Sequence, residues 1–252
     1  MTGLSVVALA APASAQSNVH YVALGDSYSS GVGAGSYSDG SCAQSARAYP
    51  VLWTNASHPA SFANETCSGA TTSTVLSSQL GALSSATTLV SITIGGNDIG
   101  FSSVMITCVL LSTSACVSAV DAAELVAKTT LPGELNSVLS AIRKHAPNAK
   151  VVILNYPQFY DLSRSKGCIG LSTTDRTDLN QGASILDSQI EAAADRYSDT
   201  FVDVNPRFAG HQICDSDSYL NSVDWLDLDD SYHPTAQGQA DGYLPAFKSA
   251  TS

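Results

Sequence analysis

A small set of residues has the types and spacing for acyl-transfer chemistry. Ser27 ends the segment VALGDS, where a serine among small residues can project its hydroxyl as a nucleophile and offer its own backbone N–H to an oxyanion. Asn97, in IGGNDIG, carries an amide that can donate to the negative oxygen of a tetrahedral intermediate. Gly69, in CSGAT, can add a backbone N–H, since no side chain blocks the approach of substrate. His233, in LDDSYHPT, supplies the imidazole base that a serine hydroxyl needs. Such a base must be neutral and held in one tautomer by an acceptor on its other ring nitrogen, and Asp230, three residues earlier, has the right carboxylate. Alone, each is equally a local structural residue, because Gly-Asp-Ser and Gly-Gly-Asn-Asp are ordinary turn sequences. His20, His58, His145 and His211 have no such setting and read as surface or packing residues, although His211 can also line a cleft.

The elements that must position these residues are apolar runs. Residues 19–24 stop at Gly25-Asp26-Ser27, and residues 89–94 stop at Gly95-Gly96-Asn97-Asp98. Both read as buried parallel strands. Residues 150–156 and 200–204 are two more, with a weaker one over 61–66. Leu179, Ala183, Leu186, Ile190, Ala193 and Tyr197 step by fours and threes along one helical face, which must pack on a sheet. Residues 120–145 carry a similar pattern interrupted by Pro132, predicting two helices or one kinked helix. Residues 234–248 predict a final helix with Pro234 at its first position. Strands alternating with helices argue for an α/β fold, a three-layer α/β/α sandwich with a central parallel sheet. Loops at the carboxyl ends of such strands form the crevice, so both strand-ending motifs point into one cleft.

The 252 residues, 44% of them hydrophobic, suit a single domain over residues 16–252. Residues 1–15 read as the apolar tail of a secretion signal ending in Ala13-Ser14-Ala15, with cleavage after Ala15. A formal charge of −11 has the wrong sign for tracking a phosphate backbone, so no nucleic-acid partner is expected. No later run reaches the apolar length of a membrane helix, so no permanent anchor is expected, and the chain reads as a secreted, extracellular monomer. Six cysteines fit an oxidising compartment, and no C-x-x-C pair supports a metal. Sequential pairing, Cys42–Cys67, Cys108–Cys116 and Cys168–Cys214, closes the shortest set of loops, each expected between strands and helices.

Aspartates crowd residues 215–230 beside Tyr219, Trp225 and Leu226. They read as a solvated loop, as a calcium site for which Asp227-x-Asp229 lacks the remaining ligands, or as a field that raises the basicity of His233. No metal or cofactor is expected. Without a G-x-S-x-G elbow, a P-loop, an H-E-x-x-H or a dinucleotide fingerprint, the corresponding hydrolase, nucleotide and zinc-protease classes fall away.

Taken in order, GDS after a first strand, the Gly69 turn, GGND after a middle strand and D-x-x-H before a last helix resemble the four blocks of the SGNH hydrolases, also called GDSL lipases and esterases. The resemblance covers the chain after its leader, and the cysteine layout is similar to that of secreted actinobacterial lipases and phospholipases of this superfamily. It implies a flavodoxin-like sandwich with Ser27 as nucleophile and His233 as base. The oxyanion hole would be the Ser27 N–H, the Gly69 N–H and the Asn97 side chain. Tyr28 stands where GDSL has leucine. In some secreted members a backbone carbonyl replaces the carboxylate, so Asp230 and the Ser231 carbonyl both remain candidates, the carbonyl slightly favoured. The implied activity is hydrolysis of acyl-ester or lipid substrates, phospholipids of the A1 type included. Removal of acetyl groups from a polysaccharide is the alternative within the enzymes, and a non-catalytic binding protein the alternative outside them.

Overall fold

Apolar runs without polar alternation become the inner strands of a parallel sheet in the computed structural model, which describes residues 18–164, 170–225 and 228–252. The chain passes through β1 (His20–Gly25), a helical turn α1 (Ser27–Ser30), the short strands β2 (Tyr37–Asp39) and β3 (Gln44–Ser45), α2 (Tyr49–Ser57) and β4 (Ser61–Asn64). A turn α3 (Thr72–Thr74) leads through a π-helical segment, Val75–Gln79, and a 3-10 turn, Leu80–Ala82, to β5 (Leu89–Thr93). Helices α4 (Phe101–Leu110), α5 (Thr113–Thr129) and α6 (Leu131–His145) precede β6 (Lys150–Leu154), and α7 (Thr173–Tyr197) precedes β7 (Thr200–Val202). The short α8 (Asn205–Phe208), a π-helical Gly238–Tyr243 and α9 (Leu244–Thr251) complete the described chain.

The five-stranded sheet has the order β4-β1-β5-β6-β7, every neighbouring pair parallel. Ranked by their place in the chain these strands run 2-1-3-4-5, the flavodoxin-like order. The order reverses between β1 and β5, and at that switch point the loops diverge to opposite faces and leave a crevice. Helices α5, α6 and α7 pack on one another, and α2 packs with α9 on the opposite side. There Tyr21 of β1 meets Trp53, Phe62 and Phe247 at centroid distances of 5.1 to 5.6 Å. The three-layer α/β/α sandwich is the fold expected.

Several boundaries differ from the sequence reading for local reasons. The β6 ladder ends at Leu154 rather than 156, because the Asn155 side chain and the Tyr156 N–H turn to the buried carboxylate of Asp187, at 2.9 and 3.1 Å. Pro132 begins α6 instead of kinking a longer helix, as its missing N–H allows. The last helix does not start at Pro234: that residue forms an antiparallel bridge with Leu220, and the helical turns begin after Thr235, whose hydroxyl accepts the Gly238 N–H at 3.0 Å. Cys42–Cys67 and Cys108–Cys116 are both bonded. The second is not a loop staple as expected, since Cys108 lies in α4 and Cys116 in α5 and the bridge ties the two helices together. Cys214 is also disulfide-bonded. Cys168, its expected partner, lies outside the described residues, as do the expected leader with its expected cleavage point after Ala15, Leu226 and Asp227.

Candidate active site

Gly25 ends β1 with φ +119°, and a Cβ there would stand 2.4 Å from the Thr93 carbonyl of β5. Only glycine lets the two central strands end this close together. The Gln79 side chain, buried, holds the Gly25 peptide from both sides, accepting its N–H at 2.8 Å and donating to its carbonyl at 2.9 Å. Asp26 then caps α1, accepting the Tyr28 N–H at 3.0 Å. Ser27 becomes the first residue of the helical turn, where backbone N–H groups have no intrahelical partner. Among the described residues nothing accepts its N–H.

Two turns close on this one. Gly95 continues β5 with φ +120°, and the next residues carry Asn97 and Asp98 back toward the Gly69 segment. Asn97 spends one amide hydrogen on the Ala70 carbonyl at 2.9 Å. Asp98 accepts the Thr72 N–H at 3.0 Å and the Thr72 hydroxyl at 2.6 Å. Gly69 itself has φ +74°, open space where a Cβ would be, and an N–H with no acceptor among the described residues. The Cys42–Cys67 bridge and the Ser68 N–H donating to the Cys42 carbonyl at 2.9 Å fix the other side of this turn. Ser27, Gly69 and Asn97 thus border one cleft with His233, and each keeps a donor free for an oxygen in it.

His233 Nε2 lies 2.7 Å from Ser27 Oγ, and Nδ1 lies 3.1 Å from the Ser231 carbonyl oxygen. A carbonyl can only accept, so Nδ1 carries the hydrogen and Nε2 is left as the acceptor for the serine hydroxyl. The Asp230 carboxylate is not the ring's partner. Its Oδ1 accepts the Gly33 N–H at 3.1 Å and the Tyr37 hydroxyl at 2.8 Å. The spacing D-x-x-H brings this acid close in sequence, but the turn at Tyr232, with φ +65°, aims the Ser231 carbonyl at the ring instead. Asn221 frames the histidine backbone, its side chain donating to the carbonyls of both Gly33 and His233 at 3.1 Å. Burial holds the imidazole down to about 4, against smaller opposing effects of the Ser231 carbonyl and the Asp230 charge. At neutral pH it is therefore unprotonated and ready to accept.

Other residues of the site were not read as functional from the sequence. Tyr156 donates to the Asp26 carboxylate and accepts the Gly96 N–H at 3.0 Å, joining the nucleophile turn to the Asn97 turn. Burial raises the Asp26 carboxyl to about 7 despite that bond. Tyr28 is buried and packs 5.2 Å from the His233 ring. In sequence, Tyr28 and Tyr156 look like core aromatics; only the position of Tyr28, directly after the nucleophile, singles it out. His211, considered as a cleft residue, stacks instead on Tyr219 at 3.9 Å and takes no part in the cleft wall.

The cleft has a volume of about 350 Å³. Beyond the polar floor its walls are apolar, with Phe101, Met105, Ile106 and Leu110 of α4 on one side and Trp225 and Leu228 on another. Residues 23–240, almost the whole described fold, match the model of the GDSL-like Lipase/Acylhydrolase family. The chain belongs to that family. This GDSL-like enzyme, a serine ester hydrolase, is 51% identical over 252 residues to Lipase 1 of Streptomyces coelicolor, covering 99% of the present chain and 92% of the relative. The crystal structure of phospholipase A1 from Streptomyces albidoflavus superposes with a TM-score of 0.89 at 52% identity, covering 91% of this chain and 98% of that one. An extracellular lipase from Streptomyces rimosus gives 0.89 at 48%, covering 92% and 99%. Among the described residues no helix of this GDSL-like hydrolase is long and apolar enough to cross a membrane.

Proposed function

We propose that this chain is a secreted lipase that cleaves long-chain acyl esters, phospholipids of the A1 type among them, through an acyl-enzyme on Ser27. The observation that carries this reading is the 2.7 Å contact between Ser27 Oγ and His233 Nε2 at the floor of an otherwise apolar cleft. As Oγ attacks the ester carbon, Nε2 takes its proton and the carbonyl electron pair moves onto oxygen. That oxygen is received by the N–H groups of Ser27 and Gly69 and by the free amide hydrogen of Asn97. The imidazolium then returns the proton to the departing alcohol. Water, deprotonated by Nε2, releases the acid from Ser27. Because the Ser231 carbonyl rather than a carboxylate faces Nδ1, the enzyme works as a dyad with a main-chain helper.

The apolar walls support a lipid acyl group over an acetylated sugar, and the names of the S. coelicolor and S. albidoflavus relatives support lipase and phospholipase A1 activity. Export is supported by the bonded cysteines and by the extracellular S. rimosus relative. A panel of p-nitrophenyl esters and phosphatidylcholine, run on the parent and on Ser27→Ala, tests the reading. The parent should hydrolyse both classes, the variant should lose a factor of ~10⁶ in kcat, and an organophosphate should label Ser27. Hydrolysis confined to acetylated polysaccharide would replace the lipase reading, and an unlabelled Ser27 in folded protein would remove the enzyme mechanism altogether.

A further inference from the structure

The part of α7 that borders the catalytic cleft also borders another space. A second, smaller cavity of about 20 Å³ lies between α4, α5 and α7, and it shares Ile99, Phe101, Gly182 and Ala183 with the cleft. Its own far wall is Val104, Val120, Leu179 and Glu124. Gly182 stands between the two spaces, in the middle of a helix where glycine costs about 1 kcal/mol relative to alanine. Nothing in the backbone requires it, since its φ is not positive and a Cβ there would meet only Val120 Cγ1, at 3.4 Å. Gly182 lines both spaces, and a side chain there would point at Val120, a wall residue of the small cavity.

We infer that Gly182 is the gate of an acyl-terminus subsite, and that the small cavity receives the methyl end of the fatty-acyl chain; the inference rests on the lipase reading above. The direction of the chain follows from α7. Leu186 touches the catalytic end, where a Cβ on Gly95 would lie 3.4 Å from Leu186 Cδ1. From Leu186 to Leu179 the helix rises about 10 Å at its usual pitch, running past Ala183 and Gly182 from the Asn97 turn to the far cavity. The Phe101 ring, stacked on Phe159 at 4.9 Å, forms part of the boundary along that run. At the end stands Glu124, mostly buried, with Oε2 held by Lys128 at 2.9 Å and Oε1 by Gln181 at 3.1 Å. An apolar cavity walled on one side by a paired carboxylate stops a hydrocarbon chain, because further methylenes would have to displace a charge from its partners. A cavity of this volume holds about one water-sized group, which suits a terminal methyl.

The test is the chain-length profile of Gly182→Val and Gly182→Ala on p-nitrophenyl butyrate, decanoate and palmitate. Filling the gate should lower kcat/KM for palmitate relative to butyrate by roughly tenfold or more in the valine variant, the discrimination that one or two misplaced methylenes produce in an apolar pocket. The alanine variant should show a smaller shift in the same direction, with a melting temperature equal to or above that of the parent, so it decides the matter if the valine variant does not fold. Butyrate turnover should stay within about threefold in both. A folded variant with the parental length profile overturns the gate while leaving the lipase reading intact. A parent that turns over none of the three esters overturns the lipase reading, and the subsite with it.

Discussion

The phenol of Tyr28 donates to the main-chain carbonyl of Tyr232 at 2.6 Å, so the residue after the nucleophile holds the residue before the base. Tyr232 is a non-glycine residue in the left-handed region, with φ +65°, a conformation that persists only where neighbours enforce it. The Tyr160 hydroxyl, 3.0 Å from that of Tyr232, and the Asn221 carbonyl, which accepts the Tyr232 N–H at 3.0 Å, are further restraints. Tyr28→Phe keeps the ring but strands a buried carbonyl, which costs about 1–3 kcal/mol. The expected outcome is a lower urea midpoint and a fall in kcat larger than any change in KM. Unchanged values of both would show that the tether positions nothing.

Asp230→Asn should leave kcat within about threefold of the parent, whereas loss of a true triad carboxylate costs up to ~10⁴. The reason is geometric: the acid serves Gly33 and Tyr37, and the Ser231 carbonyl serves the ring. A hundredfold loss in a folded variant would restore the triad.

The acid limb of kcat/KM should lie near pH 4, well below the usual histidine range, because burial holds His233 at about 4. Protonation below that value removes the base. A pH profile on a soluble ester checks this, and a limb centred near 6.5 would contradict the site's burial.

Thermal stability should fall between pH 5 and pH 8. Burial raises Asp26 to about 7 and Asp187 to about 8. From their unfolded values upward, the unfolded chain has released these protons while the folded chain still binds them, so stability present at low pH is lost as pH rises through each folded value. His233 acts in the opposite sense from about 4 to 6.5, since its folded value is depressed, but one group then opposes two. Calorimetry across this range gives the sign directly, and a melting temperature that climbs toward pH 8 would refute it.

How much of this was legible in the sequence differs from residue to residue. Ser27 and Asn97 were legible because each sits in a small-residue turn after an apolar run, and strand order brings such turns together, whereas Gly69 and His233 became readable only within the ordered set of four motifs. The strand ladder was legible for the same reason. The choice between Asp230 and Ser231 was not, because it depends on one left-handed residue between them and histidine, and D-x-x-H is compatible with either. Pro234 was misplaced because a proline before a polar helix resembles a first helical residue, while its pairing with Leu220 depends on a distant part of the chain. Tyr156 and Gln79 carried no local signal at all. Their roles come from hydrogen bonds to segments far away in sequence, which periodicity does not report. Gly182 could have been noticed as a glycine in the strongest helical pattern of the chain, but its meaning required α5.

The contact between Ser27 and His233 spans 206 residues, nearly the full reach of the described chain. Closing so long a loop carries a large entropic cost, and it is offset only after the intervening strands have joined the sheet. The nucleophile is therefore made 206 residues before the base that activates it. A form whose sheet has not assembled does not hold the two together, so recovery of turnover after denaturation should not precede formation of the sheet. Nascent chains should accordingly remain harmless to the lipids of the cell that makes them.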